Sequence, residues 1–255
     1  KVVANFLQKA NQTITGLEGV ISGNVPIASG LSSSAALEVA SALAFLSVGT
    51  SPPFPPLRRG GEEGGCSPMN GSELATLCQR AENQFVGVNC GIMDGTISIL
   101  GKADHALFLD CRTLHYELIP LNLGDVQIVV CNTKVKRELA SSEYNKRRAT
   151  CEQGVEILKQ WLPSISSLRD VPLGDFKKYE AFLPPLTQKR CRYVIEENER
   201  VLAAVEALKA EELQAFGRLM NASHIGLRDD YEVSCKELDA MVEIAGAHDG
   251  VIGAR

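Results

Sequence analysis

No pair among the eight cysteines of this 255-residue sequence has C-x-x-C spacing, so a zinc site is not indicated. There is no excess of positive charge. The net charge of −5 gives no general polyanion-binding surface, and nucleic acid is not an expected partner. Long apolar runs are missing as well. The longest, Ala35–Leu46, is interrupted by Glu38 and is too short to span a bilayer, so no membrane partner is expected. The G-x-x-x-x-G-K-[ST] pattern is absent because no Lys follows the relevant glycine. G-x-S-x-G is absent too, which argues against a hydrolase elbow. No internal repeat appears.

What is present is an ordinary globular composition, 45% hydrophobic and 22% charged, with length for one large or two modest domains. Several cysteines sit in apolar company, such as Cys131 after Ile128-Val129-Val130. They read as small buried hydrophobes in a reducing compartment, and the expected location is the cytoplasm. Lys1 is not Met, and the chain stops at Gly250–Arg255 in what reads as a turn entering a strand. The expectation is therefore a fragment.

One stretch organises the reading: Pro26-Ile27-Ala28-Ser29-Gly30-Leu31-Ser32-Ser33-Ser34-Ala35-Ala36. It sets small residues and hydroxyls before the run Ala35–Leu46, which predicts a buried helix. Ser32, Ser33 or Ser34 would stand at its N-cap. The first N–H groups of a helix have no intrahelical partner, and the helix dipole adds partial positive charge there. Gly30 lets backbone approach a ligand closely. Together these form an anion cradle, most naturally for phosphate. An ordinary serine cap after a glycine turn is the open alternative.

Along the chain, residues 1–12 read as the tail of a helix and Leu17–Ile27 as a short strand. Ser47–Gly71 reads as a Pro/Gly-rich insert without a periodic apolar face. Ser72 is expected to cap a helix through Phe85. Ala106–Asp110 and Leu114–Pro120 predict two strands joined at Cys111-Arg112-Thr113. Asp125–Asn132 predicts a buried strand. Helices follow at Ser142–Leu162, Arg190–Lys209 and Glu211–Ile225. A further one, Cys235–Ala247, would be opened by a capping box of Ser234 and Glu237. Ser164–Pro185 reads as irregular. The order is α+β, strand-rich first and helix-rich second, with a seam near Leu121–Gly124.

Asp94, among glycines, is either a helix cap or an active-site carboxylate. Glu82 is either a solvated helical side chain or a metal ligand. Tyr144 is a core aromatic or a hydroxyl donor to a substrate. Arg147 and Arg148 read as surface ion-pair residues, and His224 as a core or capping histidine.

The stretch Gly30-Leu31-Ser32-Ser33-Ser34-Ala35-Ala36 resembles the phosphate loop of the GHMP small-molecule kinases. Further stretches narrow the resemblance to the galactokinase branch. These are Gln79–Asn83, Cys90–Asp94, Ala140–Arg148, Leu219–His224 and Leu227–Ser234. The resemblance covers nearly everything outside Ser47–Gly71. It implies a two-domain fold, an S5-like N-terminal domain (1–122) and a ferredoxin-like C-terminal domain (123–255), incomplete at both ends. It implies that Ala28, Ser29, Gly30, Leu31, Ser32, Ser33 and Ser34 wrap the phosphates of ATP. Ser34 and Glu82 would hold Mg²⁺, Asp94 would be the catalytic carboxylate, and Gly91, Asp94 and Tyr144 would contact D-galactose. The implied reaction is phosphorylation of the galactose C1 hydroxyl, by a monomer. A related sugar substrate (N-acetylgalactosamine, arabinose or a uronic acid) and a non-catalytic galactose and ATP sensor are the alternatives. The sequence departs from the pattern at Gly95-Thr96, where Gln-Phe is usual. The family's N-terminal sugar-binding motif and C-terminal Gly-rich motif are not within residues 1–255, so this chain alone is expected to be inactive.

Overall fold

A computed structural model describes residues 2–27, 29–49, 69–85, 87, 90–135 and 140–255. The chain divides into two compact units, Lys1–Ile119 and Pro120–Arg255.

The first unit contains helices α1 (Val2–Lys9), α2 (Ser33–Gly49), α3 (Gly71–Phe85) and α4 (Met93–Leu100). A hairpin of β1 (His105–Leu109) and β2 (Tyr116–Pro120) follows. The expected run Ala35–Leu46 is indeed helical. Its buried residues Ala35, Val39, Ala42 and Leu46 recur every three or four positions and form one stripe. Val39, Ala42 and Leu46 join Val3, Phe6 and Leu7 of α1 and Leu74, Leu77, Cys78 and Ala81 of α3 in one core. Helix α3 opens on Asn70, not on Ser72 as expected. The Asn70 side chain accepts the Glu73 N–H at 2.9 Å, and the Glu73 carboxylate accepts the Asn70 N–H at 2.8 Å. This reciprocal box satisfies two donors that a helix start leaves open. The hairpin forms where the two strands were expected. The Asp110 carboxylate accepts the N–H groups of Arg112 at 2.8 Å and Thr113 at 3.1 Å and so fixes the turn.

Two expected strands are not strands. Leu17–Ile27 carries no regular structure among its described residues, and Val20 and Ile21 are 96% and 79% exposed. Asp125–Asn132 is likewise irregular, with Ile128, Val129 and Val130 exposed. A β-branched run becomes a strand only when another segment pairs with its backbone, and no described segment pairs with either. The first half is therefore helix-rich among its described residues rather than strand-rich. The expected insert also shifts. Ser47–Gly49 belongs to α2 and Gly71 opens α3, while residues 50–68 lie outside the described residues.

The second unit is helical: α5 (Ala140–Leu158), α6 (Leu173–Tyr179), α7 (Pro185–Lys209), α8 (Leu213–Asp229) and α9 (Lys236–Gly246). Ser164–Pro185 is more ordered than its sequence suggests. It holds α6 and two 3₁₀ turns, Leu168–Asp170 and Glu180–Phe182. Its apolar residues are too sparse for a periodic signal. Leu168, Val171, Phe176 and Leu183 nonetheless enter the core with Val155, Leu158, Cys191 and Ile195. Trp161 stacks on Tyr179 and Phe182, with ring centroids 5.5 and 4.6 Å apart. Helix α9 lacks the expected capping box, because the Ser234 hydroxyl donates to Asp239 at 2.6 Å.

Among the described residues, no helix is long and apolar enough to cross a membrane. Cys78 and Cys191 are buried as expected, whereas Cys111 and Cys131 are exposed.

Phe176 is fully buried at the centre of the second core. Phe176→Ala is expected to lower stability by about 3–5 kcal/mol, the usual cost of an emptied aromatic site. Denaturant unfolding followed by circular dichroism reads this directly. An unchanged midpoint would contradict the packing.

Candidate active site

The serine-rich turn and helix start are built as the sequence suggests. Gly30 has φ +79°, a left-handed conformation, and a side chain added there would meet no atom within 4 Å. Ser32 also lies in the left-handed region, at φ +56°. It is uncommon for a non-glycine residue and localises backbone strain at the helix mouth. The Ser32 carbonyl accepts the Ala36 N–H at 3.0 Å, the first turn of α2. Upstream, the Ser29 hydroxyl donates to the Pro26 carbonyl at 2.8 Å and tightens the loop. Leu31 and Ser34 are exposed, while Ser29, Ser32 and Ser33 are half-buried. Ala28 lies outside the described residues.

Helices α2, α3 and α4 pack against one another within the first unit. Ser34 and Glu38 are four residues apart and so share one face of α2. Glu38 is half-buried, and its carboxyl is pushed up to about 7 by burial and by the neighbouring charge of Glu82 from α3. Glu38 is a residue the sequence reading passed over. Its signal was present as the single charge inside the run Ala35–Leu46.

Cys90 is the second residue that was missed. Its thiol donates to the Glu82 carboxylate at 3.0 Å and lies 3.0 Å from the Asn83 side-chain oxygen. The Gln79 amide donates to the Cys90 carbonyl at 3.1 Å, so this segment is tied to α3. Burial pushes the Cys90 thiol up to about 12, and the negative charges of Glu82, Glu38 and Asp94 add to the shift. Glu38, Glu82 and Asp94 thus act on one cysteine, which brings α2, α3 and α4 to a common acidic locus.

Asp94 does not cap α4. The N-cap is Ile92, without a side-chain cap bond, and Asp94 stands exposed in the first helical turn. Its carboxylate is free of the backbone bonds a cap would make. The unusual Gly95-Thr96 pair packs without conflict. A side-chain carbon on Gly95 would stand 3.5 Å from the Ala75 carbonyl oxygen, an ordinary contact. Thr96 is buried and its hydroxyl donates back to the Ile92 carbonyl at 2.9 Å. Gly91 is exposed just before α4.

Tyr144 is an exposed residue on α5 of the second unit. On the same helix, Arg147 is not the surface residue expected. It is largely buried, its Nε donates to the Tyr231 carbonyl at 2.9 Å, and it pairs with Glu143 at 3.2 Å. Arg148 does pair at the surface, with Glu152 at 2.9 Å. His224 is buried, with its Nε2 3.3 Å from Asp239, in line with the core histidine expected.

A family model described as "GHMP kinases N terminal domain" matches residues 1–102. The chain is 45% identical over 253 residues to a galactokinase of Chloroflexus aurantiacus, covering 99% of this chain and 60% of that protein. It is 43% identical over 251 residues to a galactokinase of Roseiflexus sp., covering 98% and 59%. Among solved structures, it resembles a Lactococcus lactis galactokinase complexed with galactose. The TM-score is 0.83 at 34% identity, over 99% of this chain and 61% of that one. The chain thus spans about 60% of the length of the relatives it matches.

The raised Glu38 carboxyl makes stability fall with pH. The proton is held more tightly in the folded state than at the ordinary value of 4.5, so the penalty grows as pH rises from 4.5 and is complete above about 7. With divalent metal chelated, Glu38→Gln is expected to flatten this fall in thermal melts between those limits. A wild-type curve that rises across the same window would contradict the arrangement.

Proposed function

We propose that this chain belongs to the GHMP kinase family and forms the phosphate-binding and sugar-orienting part of a galactokinase. The reaction is transfer of the γ-phosphoryl group of ATP to the C1 hydroxyl of D-galactose, giving galactose 1-phosphate and ADP. The observation that supports this reading is the meeting, in one unit, of Glu38 on α2, Glu82 on α3 and Asp94 on α4 around Cys90, with Ser34 one turn before Glu38 on α2.

Residues Ala28–Ser34 and the first N–H groups of α2 would receive the phosphates, where unpaired donors and the helix dipole favour negative charge. Gly30 offers backbone unscreened by a side chain, and the left-handed Ser32 aims the chain into the helix. Ser34 and Glu82 are fit to hold Mg²⁺. A hydroxyl and a carboxylate are the oxygen donors that such a hard cation would prefer. When bound, the ion neutralises charge on the transferring phosphoryl group.

Asp94 would accept the proton of the C1 hydroxyl and hold its oxygen in line with the phosphorus. Holding that oxygen in line is the larger share of its work. Gly91, and Tyr144 of the second unit, are assigned to sugar contacts. A monomeric enzyme of the cytoplasm belongs to the same reading.

In the full-length protein, Asp94→Asn is expected to lower kcat by roughly 10²–10⁴-fold while leaving ATP affinity nearly unchanged. A coupled ADP-release assay with galactose, paired with calorimetric ATP titration, measures both. Turnover near that of the wild type would refute the assignment. Ser34→Ala is expected to raise the Mg²⁺ concentration needed for half-maximal activity, and an unchanged requirement would remove Ser34 from the metal site.

A further inference from the structure

Helix α5 carries Tyr144 on a stretch that apolar packing does not hold. Among the described residues, the buried hydrophobic side chains of α5 are Val155 and Leu158, both in its last turns. Tyr144 stands toward the other end, among the charged residues Glu143, Lys146, Arg147 and Arg148. An exposed ion pair such as that of Lys146 with Glu143 does little to fix a helix in place. A polar anchor is needed to set where these first turns lie.

Arg147, three residues after Tyr144, supplies that anchor. Its side chain is only 13% exposed. Its Nε donates to the Tyr231 carbonyl at 2.9 Å, and one terminal nitrogen donates to the Glu232 carbonyl. The other terminal nitrogen donates to the carbonyl and the carboxylate of Glu143, each at 3.2 Å. One planar fork thus ties the turn that carries Tyr144 to the segment between α8 and α9. That segment is itself fixed from its far side. The Tyr231 N–H donates to the Gly226 carbonyl and the Val233 N–H to the Leu227 carbonyl, each at 2.9 Å. The Tyr231 ring stacks on Tyr193 of α7, with centroids 4.8 Å apart. Arg190 of α7 lies 3.6 Å from the Glu232 carboxylate and donates to the Thr150 hydroxyl at 2.9 Å. Glu232 has φ +56°, an uncommon conformation that persists only where its surroundings hold it.

We propose that Arg147 is a positioning residue for the sugar. By bridging Glu143 and the carbonyls of Tyr231 and Glu232, it holds the first turns of α5 so that the Tyr144 hydroxyl stays where it meets galactose. The proposal rests on the assignment of Tyr144 to a sugar contact. Arg147 acts through Tyr144 and does not touch the substrate itself. A lysine at 147 keeps the charge but loses the fork, because one ammonium on a flexible stem cannot hold these acceptors in a single plane. The phosphates of ATP are assigned to the mouth of α2 in the first unit. The clamp therefore bears on one substrate and not on the other.

Steady-state kinetics of the full-length protein, with galactose and ATP varied in turn, test this in a double-mutant cycle. Arg147→Lys is expected to raise KM for galactose on the order of ten-fold and to leave KM for ATP within about two-fold of the wild type. Tyr144→Phe is expected to raise KM for galactose by itself. In the Tyr144→Phe background, Arg147→Lys is expected to add about two-fold or less, because the contact it positions is already gone. General damage to the helix would add its full loss whatever residue stands at 144. Should Arg147→Lys lose its helical signal, Glu143→Ala takes its place in the cycle, with a rise of about three-fold expected and the same dependence on Tyr144. An unchanged KM for galactose in the clamp variant, or a full loss added on top of Tyr144→Phe, would overturn the proposal and leave the Tyr144 contact standing. An unchanged KM in Tyr144→Phe would overturn the sugar contact itself, and the proposal with it.

Discussion

The first unit depends on one stripe of small and branched side chains along α2. Ala35, Val39, Ala42 and Leu46 are buried at successive turns, and most of them join the core shared with α1 and α3. Burying that stripe fixes the rotation of α2 about its axis. Ser34 and Glu38 must then share another face, and the helix mouth must point where the Gly30 turn leaves it open. Apolar packing therefore sets the electrostatics. Glu38 is held near enough to Glu82 for that charge to oppose its own, and Cys90 and Asp94 join the same locus. A cluster of carboxylates beside a cationic helix end suits a nucleotide and its counter-ion better than either alone.

Much of this was legible in the residues. The helix of Ala35–Leu46, the hairpin around Cys111-Arg112-Thr113 and the long α7 all follow from local periodicity and turn chemistry, which need no distant partner. The failures share a different cause. Leu17–Ile27 and Asp125–Asn132 have strand composition, but a strand is a pairing, and pairing partners are not written into a segment. Helix α6 escaped notice because Phe176 alone carries much of its burial. The Asn70–Glu73 box was hidden behind Ser72, a residue type that caps equally well.

The candidate site divides in the same way. The serine turn and Asp94 were visible because glycines bracket them. Glu38 and Cys90 act through residues distant in sequence, so their charge environment appears only in three dimensions. Arg147 shows the converse. Its type suggests a surface ion pair, yet it is drawn inward by the carbonyls of Tyr231 and Glu232. Arg190 is drawn inward too, to the Thr150 hydroxyl and the Glu232 carboxylate.

The central claim is that the mouth of α2 holds the nucleotide's phosphates while Asp94 aims the sugar. A crystal structure of the full-length protein with a non-hydrolysable ATP analogue and galactose tests it most directly. The account predicts phosphate oxygens within hydrogen-bond reach of the backbone N–H groups near Ser32–Ser34. It also predicts the Asp94 carboxylate about 3 Å from the galactose C1 oxygen. Phosphates bound elsewhere, or a C1 oxygen beyond the reach of Asp94, would contradict it.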